Sequence, residues 1–495
     1  MARGLLTTAS TLLLSMRALA DDWPFMTFQS AQINPPKMEV KKTGTTDPGY
    51  IFVGPRGNQP EGIAALIYDD DGNLVYQGPT EVTANFKVQK YANEDVITFW
   101  AGNMMDLGFG YGTVHILDNT YREIYTVTLP GDFVSPDGVA RDSYIDLHES
   151  HVTTRNTLLV TAYNVTQFDL TAIGGKVDDY MLDAMFYEID IATNEIVYSW
   201  SALEHIQAIP LEQSKQGLGE DYGTVEKPWD AYHINSVELM DEGYIISLRH
   251  YWSGYYVHRN GTVMWRLSGE RDVGDFQIDD AGIFSWQHDI RVYNQTSEGM
   301  TIDLFNNANT PTETVAPTTG LSLAVDLVNR KVTTLRTMND GEDVIHSVSQ
   351  GSYQLMSEQT NHVFLGYGSI TKVKEFDANN NAVLTAQFGE ENAVASYRAY
   401  KFQWRATPFW PPTVVAKRSS NSATLHMSWN GATEYDNWAI YTASSPDSME
   451  HTFITSVKRT GFETAGDVRN LRTPYLQVVA RKGNVPLGST VVPVA

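Results

Sequence analysis

Cysteine is absent from the 495 residues of this sequence. Its absence excludes disulfide bonds, cysteine nucleophiles, thiolate metal ligands and thiol redox chemistry. Secreted proteins usually rely on disulfides, so a secreted form of this chain has to be stabilised by packing alone.

Positive charge is scarce. The chain has 35 Lys and Arg against 59 Asp and Glu, which gives a formal net charge of -24 at pH 7. Because affinity for a phosphate backbone comes from clustered Lys and Arg, and no such cluster is present, we expect no nucleic-acid partner. An anionic substrate would have to meet a local positive charge enclosed in a pocket.

The sequence also lacks the common nucleotide and hydrolase motifs. It contains no GxxxxGK[ST] phosphate loop, no GxGxxG in a βαβ unit and no GxSxG nucleophile elbow. We therefore expect no cofactor, and in particular no nucleotide that donates a group to be transferred.

Long apolar runs are absent beyond the first twenty residues, so we expect no membrane anchor. Residues 1–20 carry Arg3, an apolar stretch from 5 to 16 and an Ala-x-Ala ending at Ala20, a pattern typical of a secretory signal peptide. Three N-x-[ST] sequons fit passage through a glycosylating route: Asn164, Asn260 and Asn294. The sequence thus predicts a glycoprotein that is secreted or resides in the secretory-pathway lumen.

What the chain has in quantity is aromatic residues, with 26 Tyr, 19 Phe and 11 Trp, and these favour strands. One pattern recurs six times: an apolar run, a polar turn and a second apolar run. The copies begin at Ala65, Val114, Tyr187, Tyr255, Leu323 and Val373. Each is preceded by another strand pair, so the unit is a four-stranded blade. We predict an all-β protein with a six-bladed β-propeller over residues 21–411; a pair of open β-sandwiches or a larger irregular β-domain is the alternative.

A pair of prolines, Pro411 and Pro412, marks a candidate domain boundary. Beyond it, apolar segments recur at the spacing of a β-sandwich. We predict that residues 412–495 form an immunoglobulin- or fibronectin-like β-sandwich that covers one face of the propeller.

Histidines occur in segments that belong to different blades: His148, His233, His288 and His346. The innermost strands of a propeller face one axial channel, so these side chains can converge although they are far apart in sequence. Asn235 follows His233 by two residues, which places both on one face of a strand. Arg249 lies in the next strand of the same blade and is expected to return to that side.

Such a cluster suits the transfer of an anionic group. A neutral imidazole is a competent nucleophile, and an arginine, an asparagine and further histidines can hold oxygens on which charge develops. Three histidines are also a ligand set for zinc, but no HxH or HExxH spacing is present, and we predict no metal.

The same segments carry a family resemblance. DLHESHVT, AYHINSVEL, FSWQHDIRV followed by LFNNANT, and SQGSYQLM resemble the fungal arylsulfotransferase-like proteins, which are distantly similar to bacterial arylsulfate sulfotransferases. The resemblance implies a sulfuryl transfer between phenols through a sulfohistidine, without a nucleotide donor. By motif order it implies His288 as the sulfated residue, with His148, His233, Asn235 and Arg249 as its companions. Ser349 is the nearest match to a later hydroxyl of that family.

Three functions remain open from the sequence. The first is a secreted arylsulfotransferase-like transferase that acts on small phenolic or aromatic substrates. The second is a tailoring enzyme of a secondary-metabolite pathway that uses the same histidines for cyclisation, isomerisation or hydrolysis. The third is a non-catalytic binding propeller, in which Trp252 and Trp286 stack on ligands. The oligomeric state is not predicted.

Overall fold

The computed structural model describes residues 23–57, 63–448 and 450–494. Within these residues the protein is all-β, as predicted. Its helical segments there are single 3-10 turns: Thr171–Ile173, Leu203–His205, Leu211–Gln213, Arg249–Tyr251 and Asp280–Gly282. No helix in the described ranges is long and apolar enough to cross a membrane. The predicted signal peptide, residues 1–20, lies outside them.

The first 26 strands run from residue 39 to residue 402. Those of the first half are β1 (Glu39–Lys42), β2 (Tyr50–Gly57), β3 (Ala64–Tyr68), β4 (Leu74–Thr80), β5 (Thr83–Tyr91), β6 (Glu94–Met104), β7 (Gly110–Leu117), β8 (Glu123–Val127), β9 (Ser150–Val152), β10 (Thr157–Gln167), β11 (Tyr180–Asp190), β12 (Ile196–Ser201) and β13 (Ile234–Met240). Those of the second half are β14 (Gly243–Leu248), β15 (Ser253–His258), β16 (Val263–Ser268), β17 (Gln277–Ile278), β18 (His288–Tyr293), β19 (Gly299–Asn306), β20 (Thr319–Asp326), β21 (Lys331–Met338), β22 (Ser352–Leu355), β23 (Val363–Gly366), β24 (Lys372–Phe376), β25 (Ala382–Gln387) and β26 (Val394–Phe402).

These strands pair into six sheets, antiparallel except for the short β17–β21 contact. Their orders are β26-β2-β3-β4, β5-β6-β7-β8, β12-β11-β10-β9, β13-β14-β15-β16, β17-β21-β20-β19-β18 and β1-β25-β24-β23-β22. The six predicted hairpins are confirmed, and each joins the third and fourth strand of its four-stranded unit. The first sheet differs because its first strand, β26, comes from the far end of this region.

The hairpin turns depend on the short polar residues that the repeat pattern contains. In the β3–β4 turn, Asp69 Oδ1 accepts a hydrogen bond from the backbone N–H of Asn73 at 2.8 Å, and Gly72 adopts a φ of +86°. In the β24–β25 turn, Asp377 Oδ1 accepts from the backbone of Asn381 at 2.9 Å. Carboxylates that bind nearby backbone N–H groups, and glycine where φ is positive, stabilise such turns.

Every sheet packs through both of its faces. Along β2, Ile51 and Val53 belong to the apolar cluster shared with the β22–β25 sheet, whereas Phe52 belongs to the cluster shared with the β5–β8 sheet. Side chains alternate between the two faces of a strand, so both clusters are filled by one continuous apolar segment. The other neighbouring pairs of sheets also share a buried cluster.

Seven strands follow β26 and form two further antiparallel sheets, β27-β28-β31 and β30-β29-β32-β33. They are β27 (Thr413–Ser419), β28 (Ser422–Ser428), β29 (Asn437–Ala443), β30 (Phe453–Lys458), β31 (Glu463–Val468), β32 (Tyr475–Lys482) and β33 (Val485–Pro493). They share one core, whose buried members lie between residues 414 and 494. Tyr121, in the β7–β8 turn, donates a hydrogen bond at 2.9 Å to the carbonyl of Gly431 and so ties this region to the rest.

Candidate active site

Three of the predicted histidines lie at the beginning of edge strands of three different sheets and come together there. His148 precedes β9, His233 precedes β13 and His288 begins β18, and all three are buried. The ring centroids of His148 and His233 are 4.8 Å apart. The ring of Tyr397 lies 5.2 Å from that of His148 and 6.4 Å from that of His288, so this tyrosine sits between them.

Two of these imidazoles are held by carboxylates. His148 Nδ1 lies 2.6 Å from Asp146 Oδ2, and His233 Nδ1 lies 2.5 Å from Asp230 Oδ2. Each carboxylate also accepts the backbone N–H of its own histidine. The carboxylate makes Nδ1 the protonated nitrogen, which leaves Nε2 of each ring available to exchange a proton.

His288 is held differently, by an amide. Its Nδ1 donates to Asn307 Oδ1 at 2.7 Å, and its Nε2 accepts the backbone N–H of Gln350 at 3.2 Å. Burial, with the positive charge of Arg249 as the next cause, holds the pKa of His288 well below its usual value. The ring is therefore a neutral imidazole whose lone pair is on Nε2.

Arg249 lies in the 3-10 turn after β14, where its backbone N–H donates to His233 O at 3.0 Å. The sequence predicted a strand at this position, but the left-handed conformation of Trp252 ends the turn and reverses the chain. One guanidinium nitrogen lies 3.0 Å from His250 Nε2 and the other donates to Val348 O at 3.0 Å.

This guanidinium forms no ion pair with a carboxylate of the described residues. Burial lowers the pKa of Arg249 to about 10, although Asp230 acts in the opposite direction. Its Nε atom is buried and has no hydrogen-bond partner among the described residues. A buried cation whose charge is not matched locally is suited to receive an anion.

Asn235 lies on β13 and is fully buried. The sequence predicted that Asn235 and His233 point to the same face of one strand, but the strand does not include His233. His233 stands outside β13 with a φ of +53°, so the two-residue period does not reach it. Asn235 Nδ2 donates to Gln287 O at 2.7 Å, and its Oδ1 is buried with no hydrogen-bond partner in the part of the chain that the structure describes.

The two residues that the sequence left unassigned lie on one loop. His346 is exposed, and its Nδ1 lies 3.0 Å from Ala316 O. Ser349 is half-buried and directly precedes Gln350, the residue that contacts His288.

Residues 87–389 match the arylsulfotransferase (ASST) family over more than half of the chain, a stretch that includes the three clustered histidines. The chain belongs to the arylsulfotransferase (ASST) family. No curated protein matches the sequence.

Solved structures give weaker likenesses. A protein of unknown function from Bacteroides caccae is 9% identical, with a TM-score of 0.38, over 72% of this chain and 99% of that one. A mutant Trypanosoma rangeli sialidase that displays trans-sialidase activity is 9% identical, with a TM-score of 0.31, over 92% of this chain and 90% of that one.

Sequence reasoning missed several groups of this candidate site. Asp146 and Asp230 stand two and three residues before their histidines, in DLH and DAYH, and this short spacing was the available signal. His250 was overlooked beside Arg249; its Nδ1 donates to Asp230 O at 2.7 Å.

Arg56 had no local signal, because it reaches the site from β2. Its guanidinium donates to Gln350 Oε1 at 2.7 Å, and Gln350 in turn contacts His288. Burial lowers the pKa of Arg56 to about 10, and one of its nitrogens is buried without a partner in the described part of the chain. The site therefore contains a second guanidinium suited to an anion.

The carboxylates that directly follow two of the histidines do not belong to the histidine cluster. Asp289 Oδ1 lies 2.7 Å from Arg291 and 3.3 Å from Arg398, and Glu149 pairs with the same two arginines at 2.7 and 3.1 Å. Lys87 lies 3.7 Å from Glu149. We call these five residues the buried charge layer. Asp289 therefore does not orient His288.

In the described ranges, two groups of side chains have metal-ligating atoms within 4.8 Å of one another. In Asp230, His233 and His250, a cation would replace the existing Asp230–His233 hydrogen bond and lie beside the Arg249 guanidinium. The other group is Asp47, His362 and Glu375, and Lys401 already pairs with Glu375 at 2.8 Å. The neighbouring positive charge makes both donor sets poorly suited to a cation.

The predicted glycosylation acceptors differ in accessibility. Asn260, in the β15–β16 turn, and Asn294, after β18, are exposed. Asn164 is half-buried on β10, and its Oδ1 accepts the backbone N–H of Val134 at 2.8 Å.

The buried histidines lead to an expected acid sensitivity. Burial lowers the pKa of His250 to about 3 from 6.5, so between these values the unfolded chain binds a proton that the folded chain does not. A histidine of this kind therefore costs no stability above pH 6.5. As the pH drops below 6.5, the free energy of unfolding decreases by about 1.4 kcal/mol per pH unit for each such histidine. Urea unfolding of the wild type and of His250→Gln at pH 7, 6 and 5 measures this. The variant is expected to lose less stability on acidification than the wild type. An equal loss would contradict the lowered pKa of His250.

Proposed function

We propose that the protein is an aryl-sulfate sulfotransferase with a sulfohistidine intermediate on His288. The observation that carries this proposal is the pairing of a neutral, buried imidazole with a buried guanidinium, Arg249, that has no carboxylate ion-pair partner among the described residues. The family supplies the reaction class, and an aryl sulfate is an anion that this combination suits.

We propose further that the six sheets are the blades of a six-bladed propeller, and that residues 412–495 form a β-sandwich. The pairing of β26 with β2, which are 337 or more residues apart, supports ring closure. The packing of each sheet on its neighbours through both faces supports it as well. In such a ring the inner strand ends that carry the histidines face one axis.

In the first step, His288 Nε2 attacks the sulfur of the aryl sulfate. The S–N bond forms as the S–O bond to the phenol breaks, and the electron pair leaves with the phenolate oxygen. An imidazolium at His148 gives its Nε2 proton to that oxygen, and the paired carboxylate of Asp146 stabilises the imidazolium. The products of this step are a phenol and sulfo-His288.

The sulfonate oxygens need donors as charge shifts toward the leaving oxygen. Arg249 supplies one guanidinium and Arg56 the second. The backbone N–H of Gln350, which contacts Nε2 in the resting site, turns to a sulfonate oxygen as the S–N bond forms. Such preorganised donors lower the barrier because they are in place before charge develops.

In the second step an acceptor phenol loses its proton to the imidazole that gave up a proton in the first step. The phenol oxygen then attacks the sulfur of sulfo-His288. The S–O bond forms, the S–N bond breaks, and His288 returns to its neutral form. No water or nucleotide is consumed, so the reaction exchanges one aryl sulfate for another.

The test is a donor-release assay on the purified protein. With 4-nitrophenyl sulfate as donor and 1-naphthol as acceptor, we expect release of 4-nitrophenol that rises with the acceptor concentration. Mass spectrometry is expected to find one naphthyl sulfate per nitrophenol, and one added SO3 group on the protein when the acceptor is withheld. A folded protein that releases no nitrophenol would contradict the transferase function and favour the tailoring-enzyme hypothesis.

Trp252 and Trp286, which the binding-propeller hypothesis requires to stack on ligands, give that hypothesis little support. Arg249 lies over Trp286 at 4.9 Å and Lys215 over Trp252 at 5.0 Å. Both rings are therefore engaged by cations of the chain itself.

We propose in addition that the protein is secreted, that residues 1–20 are removed and that the chain is glycosylated. The sequence patterns alone support these three proposals.

A further inference from the structure

A cavity lies away from His148, His233 and His288, toward the far ends of β18 and β26. It has a volume of about 340 Å³. On β18 the order is His288 in the histidine cluster, Arg291 in the buried charge layer and Tyr293 at the cavity; on β26 it is Tyr397, Arg398 and Tyr400. The buried charge layer thus separates the cavity from the candidate active site.

The wall of this cavity is basic, although the chain as a whole is acidic. It contains Lys87, Lys90, His151 and Arg291, and no Asp or Glu occurs among the described residues that line it. In a chain of net charge -24, such a wall is the opposite of what the composition favours. His151 and Arg291 already pair with Glu238, at 3.3 and 3.1 Å, and Lys90 pairs with Asp95 at 2.7 Å, so Lys87 is the cation of this wall that is compensated least.

Lys87 is the decisive group in this wall. Its side chain is 6% exposed, and its nearest carboxylate oxygen, Glu149 Oε1, is 3.7 Å away and already pairs with Arg398, while Glu149 Oε2 pairs with Arg291. Within the described part of the chain, the Lys87 ammonium donates no hydrogen bond at normal distance. Burial lowers the pKa of Lys87 to about 8, even though Glu149 acts to raise it. An anion that binds next to such an incompletely compensated ammonium stabilises it.

Aromatic side chains form the rest of the wall beside this ammonium. Lys87 Nζ lies 5.6 Å from the centre of the Tyr400 ring, and Tyr353 and Phe402 also line the cavity. Flat apolar walls next to one cationic group suit a small planar ligand that carries one negative charge.

We propose that this cavity binds a small aromatic carboxylate, with its carboxylate on Lys87 Nζ and its ring among Tyr353, Tyr400 and Phe402. The site is independent of the proposed sulfuryl transfer, since none of its lining residues belongs to the histidine cluster. Loss of transfer in a His288 variant is therefore expected to leave this binding unchanged.

The experiment uses benzoate as the probe and the uncharged, nearly isosteric benzamide as its control, measured by calorimetry on the full chain. We expect benzoate to bind at least tenfold more tightly than benzamide. Lys87→Met is expected to weaken benzoate binding at least tenfold. Lys90→Met is the matched control, because Lys90 lines the same cavity but is 69% exposed and pairs with Asp95 at 2.7 Å; it is expected to change benzoate binding less than twofold.

Absence of benzoate binding to the wild type, equal binding of benzamide, or unchanged binding by a folded Lys87→Met variant would each overturn the proposal. If Lys87→Met does not fold, reductive methylation of the wild type replaces it. Peptide mass spectrometry then follows the methylation of Lys87 and Lys90 with formaldehyde and cyanoborohydride. Benzoate is expected to slow the reaction at Lys87 and not at Lys90, and equal rates at Lys87 with and without benzoate would overturn the proposal.

Discussion

Replacement of His288 by alanine is expected to lower kcat for sulfuryl transfer by about four to six orders of magnitude, the range of loss when single members of a catalytic triad are removed. The variant keeps both guanidinium groups, and it therefore still binds the donor sulfate. It lacks the Nε2 atom that is proposed to accept the sulfuryl group, whereas His148 and His233 stay bonded through Nδ1 to their carboxylates. Release of 4-nitrophenol at saturating donor and acceptor measures the loss, and intact mass shows whether the sulfated protein still forms.

His346→Ala is the matched control for this substitution. His346 lies in the same loop as Gln350 but is exposed, and its contact is to the carbonyl of Ala316. The control is expected to keep kcat within about twofold of the wild type. A His288→Ala protein that remains folded and retains a tenth or more of wild-type kcat would show that another residue carries the sulfuryl group.

Replacement of Glu149 by glutamine is expected to lower the free energy of unfolding by about 3–5 kcal/mol, the cost of breaking a buried ion pair by removing one partner. Glu149 is fully buried, and burial alone would raise its pKa, but Arg291, Arg398 and Lys87 lower it. The amide is neutral, so it leaves three buried cations with Asp289 as the remaining carboxylate of the layer. Urea unfolding at pH 7, followed by tryptophan fluorescence, measures the change.

The matched control is the same substitution on the surface. Glu123 pairs with His115 at 2.8 Å, but its side chain is 45% exposed. Exposed ion pairs contribute about 1 kcal/mol or less, so Glu123→Gln is expected to have a small effect. Equal effects of the two substitutions would mean that the charge layer is solvated rather than buried.

The charge layer also links stability to the candidate site. Glu149 follows His148, and Asp289 follows His288, so one residue of each pair enters the histidine cluster and the next enters the layer. The ion pairs thereby fix the backbone at two of the three histidines. If Glu149→Gln transfers sulfuryl groups more slowly but still forms sulfo-His288, the loss would reflect the role of these ion pairs in positioning the histidines.

Features that depend on near neighbours in the chain could be read from the order of residues alone. The six hairpins were predictable because alternating apolar runs fix which residues are strands, and Asp, Asn and Gly such as Asp69 and Gly72 fix where they turn. His148, His233, His288 and Arg249 could be named because they stand in distinctive short segments.

Which of these groups meet, and what state they are in, depends on the packing of distant segments. Arg56 lies 232 residues before His288 and reaches it through Gln350, a connection that no local pattern contains. The neutral form of His288 and the unmatched charge of Arg249 arise from burial, which depends on how six sheets pack together. The same holds for Lys87, whose sequence context is an ordinary strand. Desolvation and pairing of charges are properties of the surroundings in space, and for that reason they were not readable from the linear sequence.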